Sequence, residues 1–283
     1  MPVHGIVTAI VTPFTPDGVV AEDAFVELLH HLATNGSDGV VVAGTTGEGP
    51  TLSDEEKLRL FGLAVEAAPE GFAVVAGTGS NDTAHSVHLT ERATETGVDA
   101  VLVVAPYYNR PNRRGLLAHY RAVAAATDRE VVLYNIPSRS VIDMSDDLLA
   151  ELGQIENVTA VKQARAGEAT PVEGLDLLAG NDDMLADVLD AGGAGGILVA
   201  SHLVGPEMRA MIDEPGRRRE IHESLLGLFG ALAVTTGPIP VKAALERLGH
   251  DVGGLRLPLV EASDEEREVI RTALEHHGLL SRV

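Results

Sequence analysis

Lysine is scarce in this sequence, and the position of one lysine suggests a catalytic role. The three lysines are Lys57, Lys162 and Lys242, and Lys162 closes the apolar run VTAVK at 158–162, where a buried strand would end. A lysine amine at a strand end can form a Schiff base with a carbonyl substrate, provided that burial disfavours its charged form. We interpret Lys57 and Lys242 as ordinary lysines, and a packing or surface role is the alternative for Lys162.

Three of the four tyrosines, Tyr107, Tyr108 and Tyr134, lie at predicted strand ends on the same face of the fold as Lys162. Tyr134 ends the strand directly before that of Lys162, so its phenol could transfer protons during imine formation. Aromatic packing is the alternative interpretation of Tyr134. The surroundings of Lys162 are therefore a candidate catalytic site.

Two further segments could bind the carboxylate of a substrate. The string GTTGE combines glycines with Thr45 and Thr46, whose amides and hydroxyls could bind a small carboxylate, although a plain tight turn is the alternative. Arg139 follows a proline turn and can pair with a carboxylate through two parallel hydrogen bonds, unless it is merely solvated. The eleven histidines show no spacing typical of metal ligands, and we assign no metal and no cofactor.

A repeating pattern of strands and helices must position these residues. Eight short apolar runs have the length and β-branched content of buried parallel strands: 6–11, 39–44, 72–77, 100–106, 131–136, 158–162, 176–180 and 195–200. Helical patterns lie between most of them and beyond the last: 21–35, 53–68, 81–97, 115–127, 145–153, 182–191, 217–235, 239–249 and 263–277. Eight strand–helix repeats predict a (β/α)8 TIM barrel over residues 1–216, followed by a C-terminal helical region over 217–283.

One connection departs from the repeat. Between Lys162 and the next strand, QARAGEATPVEGL offers thirteen residues with two glycines, one proline and little apolar periodicity. That length is near the minimum for a crossover between parallel strands. We therefore expect a short or broken helix in this connection.

The composition excludes several classes of partner. With 42 acidic and 21 basic residues, the formal net charge is -21 at pH 7, which repels nucleic acid and anionic membrane surfaces. No cysteine is present, so disulfides, thiolate metal sites and a cysteine nucleophile are excluded. We find neither a basic leader segment nor an apolar run of about 20 residues, and we expect a cytoplasmic protein without a membrane segment.

The motifs together resemble a known family. GTTGE, PYYNRP, YNIPSR, the VK pair at the sixth strand end, GNDD, GGAGGI and PIPVK occur in this order over nearly the whole chain. In this order and spacing they resemble the dihydrodipicolinate synthase and N-acetylneuraminate lyase family. The resemblance implies a pyruvate-dependent class I aldolase in which Lys162 forms the Schiff base.

The resemblance also implies catalytic roles for other residues. Tyr134 would act as acid and base, and Thr46 and Tyr108 would complete a proton relay. Tyr108 would reach the site from a neighbouring subunit. The resemblance therefore implies at least a dimer, and we expect a homotetramer built from two dimers.

Substrate-binding residues follow from the same resemblance. The amides of Thr45 and Thr46 would hold the carboxylate of pyruvate, and Gly180 and the carbonyl of Ile197 would line the pyruvate pocket. Arg139 would bind the carboxylate of the second substrate. These residues lie at or after the ends of different strands, and in a barrel such ends converge on one face.

The second substrate distinguishes the branches of the family. YNIPSR with Arg139 resembles the synthase branch, which condenses pyruvate with L-aspartate 4-semialdehyde to 4-hydroxy-tetrahydrodipicolinate in lysine and diaminopimelate biosynthesis. The pair Gly49 and Pro50 resembles instead the 2-keto-3-deoxy sugar-acid aldolases. A barrel that binds a ligand without catalysis is the third alternative, and the intact catalytic residues argue against it.

Some members of the family are inhibited by L-lysine, which binds them at a subunit interface. The matching positions here are Gly49, Pro50, Asp54, Lys57, Asn81, His85 and Tyr107. The acidic side chain that receives the amino group of the effector is replaced here by His85, and Lys57 adds positive charge. We predict weak or absent inhibition by L-lysine, unless Asp54 turns its carboxylate towards the ligand.

Overall fold

Eight parallel strands form the centre of the molecule, which is described here by a computed structural model for residues 3–167 and 169–280. The strands are β1 Gly5–Ala9, β2 Gly39–Val42, β3 Ala73–Gly77, β4 Ala100–Val104, β5 Glu130–Asn135, β6 Val158–Gln163, β7 Asp176–Ala179 and β8 Gly195–Leu198. Each strand pairs with its neighbours in sequence and β8 pairs with β1, so the sheet is closed. The predicted (β/α)8 barrel is confirmed, and the strand ends differ from the predicted ones by at most two residues.

Helices cover the outside of the barrel. They are α1 Glu22–Thr34, α2 Asp54–Ala67, α3 Thr83–Glu95, α4 Arg113–Ala124, α5 Pro137–Ser140, α6 Asp146–Leu152, α7 Leu185–Asp190, α8 Ser201–Asp213, α9 Arg218–Leu232, α10 Ile239–Arg247 and α11 Asp264–His276. α2 begins at a capping box, in which Ser53 and Glu56 each bind the other's backbone amide. None of the helices in the described part of the chain has the length and apolar character needed to cross a bilayer.

The sequence pattern predicts neither the single-turn helix α5 nor α8. α8 contains Pro206, and Val204 departs from helical geometry with φ -131° and ψ 38°. Proline lacks the amide hydrogen that a helix interior uses, so Pro206 argues against a helix over these residues. Beyond it, α9 packs against α8, and α11 packs against α9 and α10. The domain boundary at residue 216 falls between α8 and α9 and stays a prediction.

The described residues between β6 and β7 form no helix, so the predicted short or broken helix is wrong. Val172 and Leu175 form an isolated antiparallel bridge instead. Gly167 and Gly174 have φ of 120° and 79°, which a right-handed helix does not contain. Pro171 lies between them and lacks an amide hydrogen. In its described residues, the connection from β6 to β7 therefore has no helix.

Apolar side chains form two cores on the two sides of the sheet. One fills the inside of the barrel and includes Val41 and Leu102. The other lies between the strands and the helices and includes the fully buried Phe25 and Phe61. Successive residues of a strand point to opposite sides. Each strand end therefore directs one side chain into the barrel mouth and the next into the helical layer.

Candidate active site

The pairing of β5 and β6 places Lys162 beside Tyr134. Their Cα atoms are direct partners in the sheet, one residue before each strand ends. Nζ of Lys162 lies 4.3 Å from the centroid of the Tyr134 ring. The two residues are 6% and 5% exposed. The lysine ion pairs among the described residues involve Lys57 and Lys242, so the amine of Lys162 has no carboxylate partner there.

Asn135 and Gln163 fix the same two strand ends from the other side of the sheet. Nδ2 of Asn135 donates hydrogen bonds to Oε1 of Gln163 at 3.0 Å and to Oδ1 of Asp143 at 2.9 Å. Both amide side chains are buried. Because neighbours along a strand point to opposite sides, this pair holds the backbone that directs Tyr134 and Lys162 into the barrel. The sequence analysis did not identify the pair, since only the strand register brings the two amides together.

A cavity of about 400 Å³ has Lys162 and Tyr134 in its wall. Its wall also contains Thr45, which follows β2, and Arg139, which follows β5. Four of the predicted site residues thus share one space of the size that small-molecule sites have. Arg139 is exposed and forms no side-chain hydrogen bond or ion pair with any described residue. Its guanidinium is therefore available to a carboxylate.

The other predicted site residues do not line this cavity. Thr46 is 7% exposed, and Ile197 is fully buried in β8. Gly180 follows β7, where its amide donates to the carbonyl of Gln163 at 2.8 Å and a Cβ atom would lie 2.7 Å from that oxygen. Glycine is thus required for this close approach. Tyr108 does not reach the cavity of its own chain: it is 88% exposed, and its backbone has a φ of 71°.

A buried ion pair holds the loop that follows β2. Glu48 is 1% exposed and adopts a left-handed backbone with a φ of 55°. Nζ of Lys242 donates to Oε1 of Glu48 at 2.8 Å and to the carbonyl of Gly254 at 2.6 Å. Burial lowers the pKa of Lys242, and the hydrogen bond and charge of Glu48 oppose part of that effect. Our interpretation of Lys242 as an ordinary lysine is therefore wrong.

Asp182, in the GNDD string, provides a second buried carboxyl near the barrel mouth. Its Oδ1 accepts hydrogen bonds from the amides of Val199 and Ala200, both at 2.9 Å. Burial raises the pKa of Asp182, whereas these hydrogen bonds and the charge of Lys162 act in the opposite direction. Asp182 thus ties the turn after β8 to the segment after β7. Within residues 3–167 and 169–280, no group of three or more His, Cys, Asp or Glu side chains is placed to bind a metal ion.

One part of the cavity wall contains His85, Lys57 and Tyr107. Nε2 of His85 lies 2.9 Å from Oδ2 of Asp54, and Nζ of Lys57 lies 3.6 Å from its Oδ1. Burial by itself raises the pKa of Asp54, but the hydrogen bond and charge of His85, together with Lys57, leave that pKa below its usual value. The carboxylate of Asp54 is therefore engaged by two groups of its own chain.

Comparison with known proteins identifies the family. The model of the dihydrodipicolinate synthetase family matches residues 2–277. The chain belongs to this family. The 4-hydroxy-tetrahydrodipicolinate synthase of Symbiobacterium thermophilum is 45% identical over 293 residues, which cover 99% of this chain and 100% of that protein. The predicted family and the predicted class of enzyme, a lyase of the synthase type, are confirmed.

Solved structures of the family share the fold over nearly the whole chain. The dihydrodipicolinate synthase of Cyanidioschyzon merolae with lysine bound has a TM-score of 0.94 and 38% identity, and covers 98% of this chain and 99% of its own. A monomeric dihydrodipicolinate synthase variant has a TM-score of 0.92 and 34% identity, with coverage of 98% and 97%. The family fold therefore occurs in a protein that is described as monomeric.

Proposed function

We propose that this enzyme condenses pyruvate with L-aspartate 4-semialdehyde to 4-hydroxy-tetrahydrodipicolinate, with Lys162 as the Schiff-base nucleophile. The observation that carries this proposal is the amine of Lys162 in the wall of the cavity, 4.3 Å from the Tyr134 ring and without a carboxylate partner among the described residues. The synthases among its relatives support the same reaction. Such a biosynthetic step fits the cytoplasmic location predicted from the sequence.

Pyruvate is the first substrate in this mechanism. The neutral Nζ of Lys162 attacks the ketone carbon of pyruvate, and the resulting carbinolamine loses water to give an imine. The Tyr134 hydroxyl donates and accepts the protons of these steps, together with Thr46. The amides of Thr45 and Thr46 bind the pyruvate carboxylate, which fixes the ketone carbon over the amine. Gly180 and the carbonyl of Ile197 stay predicted members of the pyruvate site, although neither lines the cavity of this structure.

The semialdehyde reacts second. Loss of a proton from the methyl carbon of the imine gives an enamine, and this carbon attacks the aldehyde carbon to form the new bond. Arg139 holds the carboxylate of the semialdehyde through two parallel hydrogen bonds. The amino group of the semialdehyde then attacks the imine carbon, which closes the ring and releases Lys162 as a free amine.

Tyr108 completes the proton relay of a neighbouring subunit in this proposal. A non-glycine residue in the left-handed region persists only where its surroundings enforce it, and both Tyr108 and Arg110 adopt such backbones, with φ of 71° and 50°. An exposed tyrosine on such a loop is suited to docking against a second copy. The active species is therefore at least a dimer, and we expect a homotetramer built from two dimers. Sedimentation of a fully active monomer at assay concentration would contradict this assembly.

Borohydride trapping tests the proposed function. Incubation with pyruvate and sodium borohydride should add a reduced pyruvyl group to the peptide that contains Lys162, as measured by mass spectrometry. Condensation with the semialdehyde and cleavage of 2-keto-3-deoxy sugar acids are then measured on the same preparation. A wild type without an adduct would support the ligand-binding barrel instead. Faster cleavage of sugar acids would support the aldolase, to which Gly49 and Pro50 in the cavity wall point.

A further inference from the structure

Buried charges attach the loop that carries Thr45 and Thr46 to the C-terminal helices. Glu48 ends the GTTGE string of this loop, and its side chain is fully buried and does not line the cavity. One carboxylate oxygen accepts a hydrogen bond from Lys242 of α10 at 2.8 Å, and the other accepts one from the backbone amide of Arg256 at 3.0 Å. The carboxylate is thus held entirely by groups from the C-terminal region.

The loop has little freedom to relax around these contacts. Glu48 is left-handed at φ 55° and ψ 31°, its amide donates to the Thr45 carbonyl at 3.2 Å, and its carbonyl accepts from the Thr51 amide at 2.9 Å. At Gly49, a Cβ atom would lie 2.2 Å from the carbonyl oxygen of Ala43. Since surrounding contacts must enforce a left-handed non-glycine residue, the two bonds to the carboxylate of Glu48 hold the loop in this shape.

A second cation, Arg256, lies against the same aromatic ring as Lys242. The guanidinium of Arg256 forms a two-bond pair with Glu56 in the first turn of α2, at 2.8 and 2.5 Å. The ring centroid of Phe14 lies 4.4 Å from Nζ of Lys242 and 4.5 Å from Cζ of Arg256. Both cations are therefore packed on one ring, and Lys242 is the one of the two that pairs with Glu48.

We propose that Glu48 and Lys242 are positioning residues, which hold the amides of Thr45 and Thr46 at the spacing that the carboxylate of the first substrate needs. That the first substrate is pyruvate rests on the proposed function. The contact between Glu48 and Lys242 is present in the structure without any ligand. Through this contact the C-terminal region acts on substrate binding without touching the substrate.

Three variants separate positioning from stability. Lys242→Met leaves the carboxylate of Glu48 buried without a counter-ion, and Glu48→Gln leaves the ammonium buried, so each should lower Tm. The double variant contains no unpaired charge, and its Tm should return close to that of the wild type. The matched control is Arg218→Met, which removes a 12% exposed side chain from its 2.5 Å pair with Asp190 between α7 and α9.

The first readout is the pyruvate concentration that gives half-maximal borohydride trapping, measured well below each Tm. The double variant should need on the order of 10- to 100-fold more pyruvate than the wild type, with a much smaller change in maximal trapping. The Arg218→Met control should keep the wild-type value. Return of both Tm and the pyruvate requirement to wild type in the double variant would overturn the proposal. If the double variant does not fold, Glu48→Asp keeps the charge on a shorter side chain and should raise the pyruvate requirement in the same direction.

Hydrogen exchange in the ligand-free enzyme provides a readout that does not depend on activity. The amides of residues 44–49 should exchange at least about tenfold faster in the double variant, while those of β6 stay unchanged. Unchanged exchange of the loop would reject the positioning role, even if the wild type traps no pyruvate. Faster exchange, combined with no trapping by the wild type, would reject the proposed function and leave the positioning role intact.

Discussion

Lys162 and Lys242 are buried to a similar degree, and each has an aromatic ring beside its amine. They are 6% and 2% exposed, and their Nζ atoms lie 4.3 Å from Tyr134 and 4.4 Å from Phe14. The difference between them is the counter-charge. Lys242 donates to a buried carboxylate at 2.8 Å, whereas Lys162 has no such partner among the described residues and lines the cavity.

Under the proposed function, burial alone does not make a lysine a nucleophile. A carboxylate at hydrogen-bond distance stabilises the protonated amine. The nitrogen of a protonated amine has no lone pair with which to attack a carbonyl. An amine that faces a cavity without such a partner can lose a proton and react with a carbonyl. The same side chain therefore has a structural role in one region and a proposed chemical role in the other.

Replacing Lys162 by methionine should cause the largest effect. The substitution keeps the length of the side chain and removes the amine, so borohydride trapping should disappear and condensation should fall by roughly 10⁴-fold or more. Mass spectrometry of the trapped peptide and a rate assay measure the two outcomes. Lys57→Ala is the control and should still trap pyruvate. An adduct in the Lys162→Met protein would show that another amine forms the imine.

The free energy of unfolding should respond differently to substitution of the two lysines. Lys242→Met leaves a buried carboxylate without its partner and should lower the free energy of unfolding by about 3–5 kcal/mol. Lys162→Met leaves no such orphan and should leave that free energy within about 1 kcal/mol of the wild type, or raise it. Urea unfolding followed by circular dichroism measures both values. Equal losses would mean that the amine of Lys162 is also held by a counter-charge.

Arg139 should separate the two substrates. Its guanidinium has no partner among the described residues, so Arg139→Ala removes the proposed contact to the semialdehyde without disturbing a pair with any of those residues. We expect kcat/KM for the semialdehyde to fall roughly 10- to 100-fold, with pyruvate trapping at Lys162 unchanged. Steady-state kinetics and trapping on the same protein test this. A matching loss in both steps would favour the sugar-acid aldolase alternative.

Adding L-lysine should produce the smallest effect, because the third lysine of the chain, Lys57, lies in the wall that the ligand would face. Lys57 and His85 both contact Asp54, so the carboxylate that could compensate for His85 is already engaged. Added L-lysine would meet two basic side chains in the cavity wall, and we expect weak or absent inhibition. A titration of the purified enzyme with L-lysine measures this. Half-inhibition at sub-millimolar L-lysine would show that Asp54 turns towards the ligand or that other contacts bind it.

Local patterns accounted for most of the fold and failed at three places: the single-turn helix α5, α8, and the connection between β6 and β7. The eight strands and the capped helix α2 follow from apolar periodicity and from Ser53 with Glu56, which act over a few residues. α8 was missed because Pro206, which lacks an amide hydrogen, argues against a helix over these residues. The helix expected between β6 and β7 is absent from the described residues, because Gly167 and Gly174 adopt backbones that a helix does not allow.

The sequence by itself determined the barrel and the strand ends that carry Lys162, Tyr134, Thr45 and Arg139, since strand length and periodicity are local properties. Only the tertiary structure decided which buried lysine has a carboxylate partner among the described residues and which has none. Glu48 and Lys242 are 194 residues apart in the chain, and no local pattern encodes their contact. The partner of a buried charge is set by the closure of the barrel and the packing of the C-terminal helices, and that partner determines whether an amine is fixed in an ion pair or left to face the substrate.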